Sequence, residues 1–223
     1  MKYPTKNLSG RIYRIPINLD ITHKCTLQCQ KCMRQNYGQP QIKFDIKEHI
    51  KDLKEMSLED YEKIIEVFSH VDFCGQIGDP IFHTQFHKLL EMSKNVTLRI
   101  HSAATQRPRE WYKKSFETNP KAIWIFGLDG LPEESHIYRV NQDGKKLFEV
   151  MKLAVSMNIN IYWKYILFKY NQDHIKEAFN LAKKEHMNFR LVQSGRWKAK
   201  GEYDDLRPTI STTVPEWGTI LRP

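Results

Sequence analysis

The chain is poor in cysteine, and what it has is concentrated. Of four cysteines in 223 residues, three fall within eight positions, Cys25, Cys29 and Cys32, and the fourth is Cys74. A disulfide framework uses an even, dispersed set, so none is expected. Clustered cysteines in a reducing cytosol more often hold metal. Long hydrophobic runs are also missing. No window approaches the roughly 18 apolar residues of a membrane span, and the opening residues, Met1 to Lys6, carry no apolar stretch of the signal-peptide kind. The expected setting is the cytoplasm, with no membrane partner. Acidic residues are outnumbered, 26 against 35 basic ones, for a net charge of +9. Such an excess attracts polyanions. There is no compact basic block and no recognised nucleic-acid motif, so a solvated lysine-rich surface is the simpler reading.

What is present is a recurring alternation of apolar segments. At 40% hydrophobic content the chain is large enough for one sizeable domain or two small ones. Residues 15–21 alternate and read as a strand feeding the cysteine stretch. Residues 34–57 read as irregular, then helical and charged. Ser57 followed three residues later by Asp60 marks a helix start, and Tyr61, Ile64, Ile65 and Phe68 continue it. Strands are expected at 71–75, 96–100, 122–126, 159–168 and 189–192. Helices are expected at 86–92, 109–116 (opened by Pro108), 147–157 and 173–186. About six strands alternating with helices imply a parallel sheet. Six units are fewer than the eight of a closed barrel, so the expected fold is α/β, a partial (β/α)6 TIM-like barrel with parallel strands. Its ligands would sit at the carboxyl ends of the strands, where the cysteine stretch falls. Residues 1–196 form the expected core. Residues 197–223, with Trp197, Trp217 and three prolines but little periodicity, form an irregular tail.

Three thiolates this close can grip three irons of a cubane cluster. A four-iron cluster normally takes four cysteines, and the uncoordinated iron is then open to a substrate or cofactor, much as a catalytic zinc keeps one position free. The competing reading is a zinc knuckle with His23 as fourth ligand. Zinc sites of that kind usually bring their ligands in two separated pairs, which are missing here. Cys74 reads as a small buried apolar residue. His83 and His87 read as surface or packing residues, because no glutamate pair completes a metalloprotease motif.

The spacing C-x3-C-x2-C after a first strand resembles the radical S-adenosylmethionine enzymes, and the resemblance runs over roughly residues 12–193. It implies a [4Fe-4S] cluster on Cys25, Cys29 and Cys32, with the amino and carboxylate groups of S-adenosylmethionine on the open iron. It also implies reductive cleavage to a 5′-deoxyadenosyl radical that abstracts hydrogen from a substrate. The turn Gly75-Gln76-Ile77-Gly78-Asp79-Pro80 resembles the family's Gly-Gly-Glu-Pro turn, which implies that Gly78, Asp79 and Pro80 meet the cofactor ammonium. Ser102 and Thr105 stand where the family places polar groups near the ribose. Gly127-Leu128-Asp129-Gly130 with Tyr138 and Arg139 resembles the Ser-Leu-Asp-Gly stretch of peptide-modifying members. There Asp129 and Arg139 either pair with each other, or one faces the cofactor carboxylate. Lys31 replaces an aromatic residue before the third cysteine, leaving its backbone to reach the adenine. The implied partners are an external one-electron reductant such as flavodoxin or ferredoxin and a substrate that is a peptide, a small molecule or RNA. Peptide-modifying members usually carry a cysteine-rich C-terminal extension, and no cysteine follows Cys74. A non-enzymatic zinc or iron–sulfur module, associated with nucleic acid, is the alternative class.

Overall fold

Period-two burial builds the sheet. In the computed structural model, which describes residues 16–30, 32, 34–36, 39–42, 52–194, 204–210 and 219–221, strand β7 (Ile161–Leu167) alternates buried and half-buried side chains along its whole length. Trp163 packs edge-on against Phe148 of the helix before it, at 5.5 Å between ring centroids. Tyr162, Lys164 and Ile166 therefore face the other side of the sheet. The remaining strands are β1 (Ile17–Leu19), β2 (Gln35–Asn36), β3 (Gln39–Ile42), β4 (His70–Phe73), β5 (Thr97–Ser102), β6 (Ile123–Gly127), β8 (Asn188–Gln193) and β9 (Thr219–Leu221).

The main sheet has the order β1-β4-β5-β6-β7-β8-β9. From β1 to β8 every neighbouring pair is parallel. Strand order follows chain order without a reversal, so no topological switch point of the doubly wound kind exists. This is the winding of a barrel left open, a partial (β/α)6 barrel, as the alternation of segments implies. Helices α1 (Leu58–Ile65), α2 (Phe86–Met92), α3 (Arg109–Thr118), α4 (Gly144–Ser156) and α5 (Ile175–Lys184) lie between successive parallel strands. They cover a core that includes Tyr61, Phe73, Phe116, Trp124 and Trp163, all fully buried.

Local chemistry sets the helix ends. The Ser57 hydroxyl accepts the Asp60 N–H at 3.0 Å, the cap that the sequence announces. α1 stops at Ile65 rather than running on to Phe68, and its end tightens where the Val67 N–H turns back three residues to the Ile64 carbonyl. α5 starts at Ile175, after a separate 3-10 turn (Gln172–His174), and ends before His186, which takes φ +55°.

Two elements depart from the sequence reading. Residues 35–42, read as irregular, carry the small antiparallel pair β2–β3; the helical segment expected after them falls largely outside the described residues. Within 197–223, Thr219–Leu221 adds β9 antiparallel to β8. Three residues give no periodic signal, so such a strand is invisible before its partner is known.

Candidate active site at the carboxyl ends of the strands

The cysteine loop leaves β1 and is stitched to the segment beyond β6. The Gln28 N–H donates to the Val140 carbonyl at 3.0 Å and the Gln30 N–H to that of Tyr138 at 3.3 Å. The Gln30 side-chain amide reaches the Ile137 carbonyl at 2.8 Å. Leu27 is buried in the main core, which anchors the loop from below. The Cys32 N–H closes on the Cys29 carbonyl at 2.9 Å.

The entrance to the loop is held by Glu55. Its carboxylate accepts from Thr22 Oγ1 at 3.0 Å and Thr84 Oγ1 at 2.6 Å and pairs with Lys24 Nζ at 3.2 Å. Burial opposes its charge, but the hydrogen bonds from Thr84, Lys24 and Thr22 win and depress its pKa to about 2.

The turn after β4 packs directly on this entrance. A Cβ on Gly78 would stand 2.1 Å from the Thr22 carbonyl oxygen, so no side chain fits. The Asp79 N–H donates to the Lys24 carbonyl at 2.8 Å. Gly75 has φ +60°, a conformation suited to glycine. Asp20 Oδ1 accepts the Gln76 and Ile77 N–H groups at 2.7 and 3.0 Å.

Asp79 itself faces the protein. Oδ2 accepts the Ala103 and Ala104 N–H groups at 2.8 and 3.0 Å. Oδ1 accepts from Ser102 Oγ at 2.9 Å and from the Ile81 N–H at 3.3 Å. A carboxylate offers about four lone-pair sites, and here all are taken. Burial pushes the carboxyl above its ordinary range against the pull of these bonds. These bonds fasten the turn to the end of β5, and Asp79 at the same time lines the cavity described below. Pro80 is buried at the first position of the 3-10 turn that Asp79 caps and does not line the cavity. Ser102 lines the cavity with its proton committed to Asp79. Thr105 Oγ1 accepts the Asp143 N–H at 3.2 Å. Lys31 lies outside the described residues.

Beyond β6, Asp129 is completely buried and its Oδ2 lies 2.7 Å from Arg139 Nε. Of the two alternatives for this pair, the structure takes the mutual one. Burial works against the Arg139 charge, but Asp129 and then Cys29 hold it firmly protonated. Asp129 Oδ1 also accepts the Ile166 N–H at 2.8 Å. Gln142, for which the sequence offers no signal, bridges two strand ends: its amide donates to the carbonyls of Ala103 at 2.6 Å and Gly127 at 2.9 Å.

These parts enclose a cavity of about 520 Å³. All four cysteines line it, together with Gly75 to Asp79, Ser102, Arg34, His101, Tyr138, Arg139 and Lys164. Burial, then Asp79, pushes the Cys25 thiol up to about 12. A thiolate at this place needs a compensating cation or a metal, which deprotonates a coordinating thiol outright. Arg34 acts in that direction on Cys25. Its Nε is buried without a hydrogen-bond partner, so a donor stands ready for an anionic group beside the cysteines. In chemical type, though not in mutual placement, the donors suit an anionic iron–sulfur cluster: three thiols on one loop, with Arg34 and Arg139 beside them. Among the described residues, no group of three or more His, Cys, Asp or Glu side chains is arranged to hold a metal ion. His83 and His87 are packing residues: His83 Nε2 donates to the Met56 carbonyl at 2.9 Å, and His87 Nε2 meets Ser115 Oγ at 3.0 Å. No described helix is long and apolar enough to cross a membrane.

No protein-family model and no curated protein matches the chain. Solved structures do. Streptococcus suis SuiB superposes with a TM-score of 0.67 at 12% identity, over 89% of this chain and 43% of SuiB. The protein anSMEcpe with bound AdoMet gives 0.63 at 16%, over 86% and 55%. Methylornithine synthase (PylB) gives 0.60 at 13%, over 83% and 55%. The chain thus shares their fold and spans about half the length of each. SuiB has also been solved with S-adenosylmethionine and with the precursor peptide SuiA, and anSMEcpe with a peptide.

Proposed function

We propose that this chain is the core of a radical S-adenosylmethionine enzyme. The observation that carries the reading is the placement of C-x3-C-x2-C on the wall of the 520 Å³ cavity at the carboxyl ends of a partial (β/α)6 barrel. Structures of that fold have been solved with S-adenosylmethionine bound. Cys25, Cys29 and Cys32 would hold a [4Fe-4S] cluster. When bound, that cluster supplies one electron to S-adenosylmethionine, whose cleavage yields a 5′-deoxyadenosyl radical for hydrogen abstraction.

The residues of the chain do the rest. Arg34 and Arg139 offset the thiolate charge. The backbone carbonyls of the turn from Gly75 to Gly78 receive the cofactor ammonium, a task that Asp79 supports by holding the turn in place. Ser102 offers a lone pair to the ribose. The backbone of Lys31 meets the adenine. The cavity walls shield the radical from water. Residues 1–196 form the catalytic core. Leu206 packs with Tyr138 and Phe168, and Tyr138 in turn lines the cavity. The substrate is read as a peptide, in keeping with the peptides bound to SuiB and anSMEcpe. The electron comes from an external carrier of the flavodoxin or ferredoxin kind, in a reducing cytoplasm.

The test is anaerobic reconstitution of the full chain with iron and sulfide, followed by dithionite and S-adenosylmethionine. The expected result is about four irons per chain and 5′-deoxyadenosine, both lost in the Cys25/Cys29/Cys32→Ala variant. Zinc bound without sulfide, or a cluster that survives in the triple variant, overturns the reading.

A further inference from the structure

The side chains on the inner face of the barrel come from alternate positions of each strand. On β5 they are Arg99 and His101, while Leu98 and Ile100 are buried in the core on the helix side. Arg99 is spent on Asp72, its register partner on β4, and grips the carboxylate with Nε and Nη2 at 2.6 Å. His101 comes next, one residue before the end of β5, beside its register partner Ile125 on β6. The pairing of Phe73 with Ile100 brings the residues that follow them, Cys74 and His101, level with each other. Cys74, His101 and Ile125 all line the cavity. The turn after β4 also comes close, since a Cβ on Gly75 would stand 3.2 Å from the His101 carbonyl oxygen. His101 therefore belongs to the wall beside the turn from Gly75 to Gly78.

Histidines elsewhere in the fold spend a ring nitrogen on the protein. His83 meets the Met56 carbonyl at 2.9 Å, His87 meets Ser115 Oγ at 3.0 Å, and His174 meets the Glu134 carboxylate at 2.8 Å. The His101 ring has no hydrogen-bond partner among the described residues. Buried polar groups are nearly always hydrogen-bonded, so a ring left open on a cavity wall marks a place for a ligand. Burial, then Lys164, Arg99 and Arg190, depresses its pKa to about 3. The ring is therefore neutral at physiological pH and presents one N–H donor and one lone pair. A carboxylate offers acceptors only and an ammonium donors only. An amide offers both without bringing a charge into a buried place, where an unpaired charge is costly.

We propose that His101 is a substrate-binding residue, its ring hydrogen-bonded to a backbone amide of a peptide on the inner wall of the cavity. This rests on the reading of the cavity as the shared site of cofactor and peptide. The bond fixes the register of the peptide in the barrel. It thereby sets which peptide carbon stands beside the turn that receives the cofactor ammonium, and so which one gives up its hydrogen.

The experiment uses the full chain, isotopically labelled at the histidine nitrogens, and the uncharged probe N-acetylalanine N-methylamide. Nitrogen NMR of the His101 ring, assigned by its loss in His101→Gln, is followed as the probe is added. Probe affinity is measured for wild type, His101→Phe, His101→Gln and the surface control Lys88→Met. The expected result is a saturable shift of the His101 ring nitrogens. Affinity is expected to fall about tenfold in His101→Phe. It is retained in Lys88→Met and in His101→Gln, whose side-chain amide keeps a donor and an acceptor. No ring shift in wild type, or tighter binding of acetate than of the probe, overturns the proposal. Equal affinity in His101→Phe with an unchanged melting temperature does so too. If that variant does not fold, the ring shift in wild type decides. S-adenosylmethionine is added separately to the reconstituted protein. A ring shift with it and none with the probe would give His101 to the cofactor and overturn the substrate assignment. A probe-induced ring shift in a protein that forms no cluster would retain the His101 site while the radical reading fails, so the two failures are separable.

Discussion

Gly127 leaves open the space that the Arg139 guanidinium fills. A Cβ there would stand 2.6 Å from Nη2 and 2.9 Å from Cζ. The peptide-modifying enzymes that this segment resembles carry serine at this place. In this chain the missing side chain lets an arginine lie across the strand end and pair with a fully buried Asp129. The departure from the family pattern and the ion pair are one feature.

Gly127→Ser is therefore expected to displace Arg139 rather than restore a cofactor contact. The cost is about 1–3 kcal/mol, as for other overpacked sites. Urea unfolding checks it; a variant as stable as wild type would show that the guanidinium moves aside freely.

Arg139→Met removes the cation and strands the Asp129 carboxylate. Breaking a buried pair from one side costs about 3–5 kcal/mol. The double variant Arg139→Met/Asp129→Leu is expected to recover much of that loss. Denaturation of the single and double variants gives the coupling, and additive losses would mean that the pair does not act as a unit.

Asp79→Asn replaces one acceptor oxygen by a donor that faces the N–H groups of Ala103 and Ala104. The expected loss is about 2–3 kcal/mol, together with weaker cofactor affinity as the turn from Gly75 to Gly78 loosens. Hydrogen exchange at Ala103 and Ala104 reports the loosening directly. Lower cofactor affinity with unchanged exchange would return Asp79 to direct contact with the ammonium.

Glu55 gives the acid limb of stability. Its folded pKa, depressed to about 2 from 4.5, means that its contribution is complete above the unfolded value and is lost as pH falls through the folded one. Glu55→Gln is expected to remove about 1–2 kcal/mol near neutral pH, after allowance for solvent screening, and to flatten the curve between about pH 4.5 and 2. A parallel acid limb in the variant would assign the effect to other carboxylates.

The strand–helix alternation was legible because each buried strand repeats at a period of two, as in Ile161, Trp163, Tyr165 and Leu167, and each helix start carries a local cap such as Ser57. The cysteine motif was legible because its three cysteines lie within eight residues. The hydrogen bonds of Asp79 to Ser102, Ala103 and Ala104 were not legible, because a Gly-Asp-Pro turn looks the same whether its carboxylate faces a cofactor or the next strand. Gln142, Arg34 and Lys164 gave no signal, since each belongs to the cavity only through strands or loops distant in the chain.

The sequence by itself determined the order of the parallel strands and their helices, and the loop that carries Cys25, Cys29 and Cys32, because these follow from patterns within a few residues. Only the tertiary structure decided which way Asp79 points, that Arg139 lies over Gly127 against Asp129, and that Arg99, Lys164 and Arg190 share one inner face. Those relationships join residues tens of positions apart, and they are set by which strands become neighbours.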